Sequence, residues 1–118
     1  MMPHFVISGY LPENFDPSAM GESMVEGIHA LNREMDAAGI TKFSGGLGAS
    51  HTVRTQPNGD VVVTDGPYLE AKEFVGGMMI IEVANLEEAL SWARRSAKCT
   101  RMPSEVREIF FVPDPSQA

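Results

Sequence analysis

Two apolar runs joined by an Asp-Gly-Pro reversal constrain the fold of this chain most. The run DVVVT at 60–64 leads into Asp65-Gly66-Pro67, and a longer run, FVGGMMIIEV, occupies 74–83. Gly66 tolerates positive φ, Pro67 fixes its own φ, and Asp65 is able to bond its downstream backbone. The chain must therefore turn here between two strands. The connecting stretch, DGPYLEAKE at 65–73, is oddly rich in function-bearing groups. A plain turn between strands needs no phenol at Tyr68 and no charges at Glu70, Lys72 and Glu73. An ion pair within a solvated loop of this kind contributes at most about 1 kcal/mol.

Periodicity supplies the remaining elements. Residues 4–10 (HFVISGY) alternate as a first strand, and 11–15, with Pro12, read as a loop. Asp16-Pro17 has the form of a helix start, and Met20, Met24, Ile28, Leu31 and Met35 then recur at helical spacing up to Gly39. The methionine stripe reads as core filling. A short strand and a Gly-rich bend, without the Gly-Lys-Ser/Thr ending of a phosphate loop, occupy 40–50. Segments 51–56 and 61–64 face each other across Pro57-Asn58-Gly59-Asp60 as a hairpin. Asn85, with Glu88 three residues on, opens a second helix with Leu86, Ala89, Leu90 and Ala93 as its apolar stripe. Residues 96–104 read as irregular, 105–112 as a final strand and 113–118 as a polar tail. The order is that of an α+β, ferredoxin-like split βαβ domain over 1–112 with an inserted β-hairpin. One face of such a sheet stays uncovered and apolar unless a second subunit meets it.

Bulk properties remove several function classes. A net charge of −7 with scattered Lys and Arg argues against nucleic acid. No apolar run approaches the roughly 20 residues of a membrane helix, and no secretory leader pattern opens the chain. Cys99 is the only cysteine, so no internal disulfide forms, and the three histidines have no metal-site spacing. No cofactor motif is present, and a cytoplasmic location is the simplest expectation.

DGPYLEAKE resembles the DGPF(A)ETKE signature of the YCII-related, or DGPF, family, with Tyr68 in place of Phe and Ala71 in place of Thr. Thr52-Val53-Arg54, Gly39, Gly45-Gly46-Leu47, Gly76-Gly77 and the 87–93 run EEALSWA are similar to further family segments and fall in the same order. The resemblance spans about 4–112. It implies a dimeric α+β barrel, a homodimer in which two sheets face one another. It also implies either of two roles. One is a small-molecule-binding or regulatory dimer with a sigma-factor-type protein partner. The other is a small enzyme moving a proton on an organic substrate, in the manner of an isomerase or lyase.

The candidate catalytic residues are Asp65, from the signature, and His29, which falls close to the family's helix histidine. Desolvated in a dimer cleft, Asp65 is suited to act as a general base; its structural alternative is a turn-holding acceptor of backbone N–H groups. Arg54, Tyr68, Glu70 and Lys72 are the candidate substrate-binding residues. Glu70 and Lys72 alternatively pair with each other or with Arg54. His51 reads as exposed at the start of its strand.

Overall fold

A computed structural model describes residues 2–69 and 71–111. Glu70 and the tail at 113–118 therefore lie outside the described residues. The elements are β1 (His4–Pro12), a 3₁₀ turn (Pro17–Ala19), α1 (Glu22–Ala37), β2 (Thr41–Gly46), β3 (His51–Thr55), β4 (Val61–Asp65), β5 (Glu73–Glu82), α2 (Leu86–Thr100) and β6 (Ser104–Ile109). Strands β2, β5, β1 and β6 form one sheet in that order, and every pairing is antiparallel. This is the ferredoxin-like strand order, with β3 and β4 inserted as a separate two-stranded sheet.

Alternation along β1 divides the sheet. Phe5 and Ile7 point to the helices and meet Leu31 and Met35 of α1, Ala89 and Ala93 of α2, and Ile81 and Val83. Ile40, Met79, Trp92, Cys99 and Val106 pack around this core. His4, Val6, Ser8 and Tyr10 take the opposite face, beside Met78 and Ile80 of β5 and Phe43 of β2. Among the described residues no helix covers that second face.

The helices differ from the sequence expectation at their ends. Asp16 does cap, accepting from the Ser18 backbone N–H at 3.0 Å, but it caps only the 3₁₀ turn. Gly21 then interrupts, and α1 starts at Glu22. At the other end Gly39 ends α1 with φ +73°, as anticipated. For α2, Asn85 Oδ1 accepts from Glu88 N–H at 2.9 Å, while Glu88 reaches back to the Ala84 N–H at 3.1 Å. The stretch 96–100, expected to be irregular, continues α2, because Cys99 packs against the core beside Gly27 of α1. Strand β6 ends at Ile109, leaving Phe110 and Phe111 exposed. No described helix is long and apolar enough to cross a membrane.

β1 also runs two residues further than its sequence suggests. β6 pairs only as far as Gly9, so Leu11 and Pro12 have β5 alone as a neighbouring strand, where a missing N–H is tolerated. A bulge lies here: Gly9 faces Gly77 but Tyr10 faces Val75, leaving Gly76 unpaired.

Candidate functional site

The hairpin and the motif loop are built from local chemistry. The Gly59 N–H bonds Gln56 O at 2.9 Å, and Gly59 takes φ +92°, closing a three-residue loop over Pro57 and Asn58. The register then runs outward through Thr55–Val61, Arg54–Val62, Val53–Val63 and Thr52–Thr64 to His51–Asp65. Residues directly opposite share a face. One face of the hairpin thus carries His51, Val53, Thr55, Val61, Val63 and Asp65. The other carries Thr52, Arg54, Val62 and Thr64.

Among the described residues, no backbone N–H of the reversal after β4 bonds the Asp65 carboxylate. Gly66 adopts φ +101°, its N–H bonds Ser50 O at 2.9 Å, and its carbonyl accepts from the Thr52 hydroxyl at 2.7 Å. The carboxylate is left free for a side chain, and it takes His51: Nδ1 lies 3.1 Å from Asp65 Oδ1. In the single chain this pair is open to solvent, 60% and 96% exposed in its side chains.

A cleft of about 730 Å³ opens between the motif loop, the Gly-rich bend and the end of β1. Ser50 and Pro67, which flank His51 and Gly66 in the chain, line it. Leu69 of the motif loop and Phe74 of β5 line it, and Leu47 joins them from the Gly-rich bend. The Glu13 N–H bonds Lys72 O at 2.7 Å, which ties the motif loop to the end of β1. Tyr10, Glu13 and Glu73 add polar groups. The Tyr10 phenol donates to the Glu105 carboxylate, which raises its pKa, and burial acts in the same direction. Tyr10 thus stays neutral, with its one phenolic proton turned to Glu105.

The sequence candidates are distributed unevenly around this cleft. Asp65 does not line it, but Pro67, two residues on, does. Arg54 and Tyr68 meet each other, the guanidinium carbon 5.9 Å from the ring centroid, on the hairpin face away from His51. Lys72 is exposed in the loop and contributes its backbone carbonyl. His29 is exposed on α1, on the helical side of the sheet, whereas Asp65 belongs to the hairpin; one chain does not bring the two together. Glu70 is outside the described residues. Sequence reasoning passed over His51 as Asp65's partner, and Tyr10 and Phe74 as cleft residues. Counting outward from Asn58-Gly59 would have found His51. Among the described residues no three of His, Cys, Asp and Glu gather as a metal-binding group.

A two-helix, ferredoxin-like α+β domain with an inserted hairpin and a cleft at the sheet end is the class these features define. The chain matches the model of the YCII-related domain over residues 2–111, and it belongs to that family. A comparison with the curated proteins gives no match.

Proposed function

We propose that the chain binds a small organic molecule in the cleft beside Asp65, acts as a homodimer, and moves a proton on that molecule. The observation that carries this reading is the His51–Asp65 pair, with Ser50 and Pro67, close to it in the chain, lining the cleft. A carboxylate on Nδ1 fixes the imidazole tautomer and leaves Nε2 to take a proton. Asp65 is then the orienting group and His51 the base. Tyr10, neutral and with its one proton turned to Glu105, offers its phenol oxygen as an acceptor to a ligand donor. The apolar walls at Leu47, Leu69 and Phe74 suit a ligand with an apolar body.

A thermal-shift screen of small carbonyl compounds supplies a ligand, and proton NMR in deuterated water follows its exchangeable C–H. The wild-type protein is expected to catalyse deuterium incorporation, and His51→Ala to bind without catalysing it. Exchange that survives His51→Ala at the wild-type rate would remove the proton-transfer reading.

The Arg54–Tyr68 stack favours a second reading, a regulatory dimer with a sigma-factor-type protein partner. Arg and Tyr are frequent anchors of protein contacts. Under that reading Arg54→Ala abolishes capture of the partner, whereas His51→Ala leaves it intact.

A further inference from the structure

A row of residues almost without side chains crosses the four-stranded sheet on the side that faces the helices. Register puts Gly46 of β2 beside Gly77 of β5, Gly77 beside Gly9 of β1, and Gly9 beside Ser104 of β6. The row before it holds Ser44, Met79, Ile7 and Val106, and the apolar packing of the core ends there. Nothing local demands a glycine at position 9. It is not among the residues with positive φ, and a Cβ there would find its nearest neighbour outside the adjoining residues, the Gly77 carbonyl oxygen, 4.0 Å away. Gly77 is different, since its Cβ would lie 3.2 Å from the Gly45 carbonyl oxygen. The space over Gly9 is open. The helices roof it: they approach one another at Gly27, where a Cβ would be 3.7 Å from Cys99 Sγ. Leu31 and Asn32 of α1 and Ser96 and Cys99 of α2 bound, with Gly9 and Gly77, a cavity of about 190 Å³. A hollow that shares Asn32, Ser44 and Met79 runs on to Asp36 and Thr41, and Ser44 is exposed, so the cavity has a way in.

We infer that this cavity is a second binding site, for a compact uncharged molecule with an apolar body and one hydrogen-bonding end. It shares no lining residue with the cleft of the motif loop, so it does not depend on the proton-transfer reading. Size sets the first limit. An apolar cavity of about 150 Å³ holds benzene, so this one holds a six-membered ring with one substituent. The lining sets the second. Ile7, Leu31 and Met79 supply apolar surface, while Asn32, Ser44 and Ser96 supply an amide and hydroxyls that donate or accept. No Asp, Glu, Lys, Arg or His side chain lines the cavity, and Asp36 reaches only the outer hollow. A charged ligand would therefore lose its water without meeting a counter-charge. An alcohol, ketone or amide keeps its hydrogen bond at the Asn32–Ser44 end and buries its ring over Gly9. The missing side chain at position 9 is what leaves room for that ring.

The test titrates the full chain, labelled at its methionine methyls, with benzyl alcohol, benzoate and benzylamine, and follows the Met79 methyl by NMR. Benzyl alcohol is expected to shift that signal saturably, and the two charged probes to bind at least about tenfold more weakly. Gly9→Val is expected to weaken benzyl alcohol at least about tenfold while melting no lower than the wild type, because its methyls enter open space. If Gly9→Val does not fold, Gly9→Ala replaces it, with the same direction and about a threefold loss expected. A Met79 signal that does not shift, or shifts without saturating, overturns the inference. So does a glycine variant that binds benzyl alcohol as the wild type does. Benzoate or benzylamine binding as tightly as benzyl alcohol overturns the uncharged class. A folded Gly9→Val that melts well below the wild type overturns the open space itself, since packing would then already fill it.

Discussion

His51 Nδ1 lies 3.1 Å from Asp65 Oδ1 across the last register pair of the β3–β4 hairpin. The two side chains are held by strand pairing, not by a loop, so their separation is set by the ladder. Asp65→Asn preserves shape and removes the charge that orients and supports the imidazole. Proton exchange on a bound ligand is expected to fall about 10- to 100-fold in Asp65→Asn and about 10²- to 10⁴-fold in His51→Ala. Both variants are expected to keep the wild-type melting temperature, because exposed pairs contribute little to stability. Equal losses in the two variants would assign Asp65 a direct role in place of an orienting one.

How much of this site was legible follows from where its contacts lie in sequence. His51 and Asp65 are fourteen residues apart, but the Asn58-Gly59 turn fixes their register, so the pairing was within reach of counting. Tyr10 and Phe74 were not. They meet the cleft because a bulge shifts β1 against β5, and neither Gly9 nor Gly76 announces that shift. Pro12 further disguised the end of β1 as a loop. His29 drew attention through resemblance and helix position, which say nothing about the distance from α1 to the hairpin.

The attachment of the β3–β4 hairpin rests on Gly66 and Thr52. Gly66 has φ +101°, where a Cβ is strained, and Thr52 supplies the hydroxyl that holds the Gly66 carbonyl at 2.7 Å. Gly66→Ala is expected to cost about 1–3 kcal/mol and Thr52→Val about 1 kcal/mol. These costs fall on the hairpin, which packs little on the core. Amide exchange in 51–65 is therefore expected to speed up more than in β1 or β5, as local opening does. Uniform acceleration through all strands would show the hairpin to be part of the global folding unit.

The fold itself was readable where pattern and caps agreed. The alternation in β1, the Met–Leu stripe of α1 and the Asn85–Glu88 cap all act locally, so residues and structure match. The end of α2 was missed because residues 96–100 look polar from outside, and only packing on α1 reveals their inner side.

Gly76 is the residue left over by the β1–β5 shift, and a Cβ there would fall against Cγ and Cδ1 of Leu11. Gly76→Ala is expected to cost about 1–3 kcal/mol in thermal or urea unfolding. Pairing it with Leu11→Ala tests the cause. If the clash is responsible, Gly76→Ala costs markedly less in the Leu11→Ala background than in the wild type. Additive losses would instead place the cost in the bulge backbone.

The two helices are joined at the surface by Arg95, whose guanidinium forks onto Glu34 at 2.9 and 2.5 Å and lies 5.0 Å over the Trp92 ring. The Arg95 hydrogen bonds hold the Glu34 carboxyl below its ordinary value, the guanidinium charge adding to them. A carboxylate with a depressed folded pKa stabilises the fold above its unfolded pKa, and that stabilisation is lost as pH falls through the depressed value. Glu34→Gln is therefore expected to melt below the wild type near neutral pH, and the gap to close as pH falls through the depressed value. High salt should narrow the gap at neutral pH, since both partners are about half exposed. A gap that persists unchanged in acid would trace the helix junction to neutral hydrogen bonding and packing, with no contribution from the ion pair.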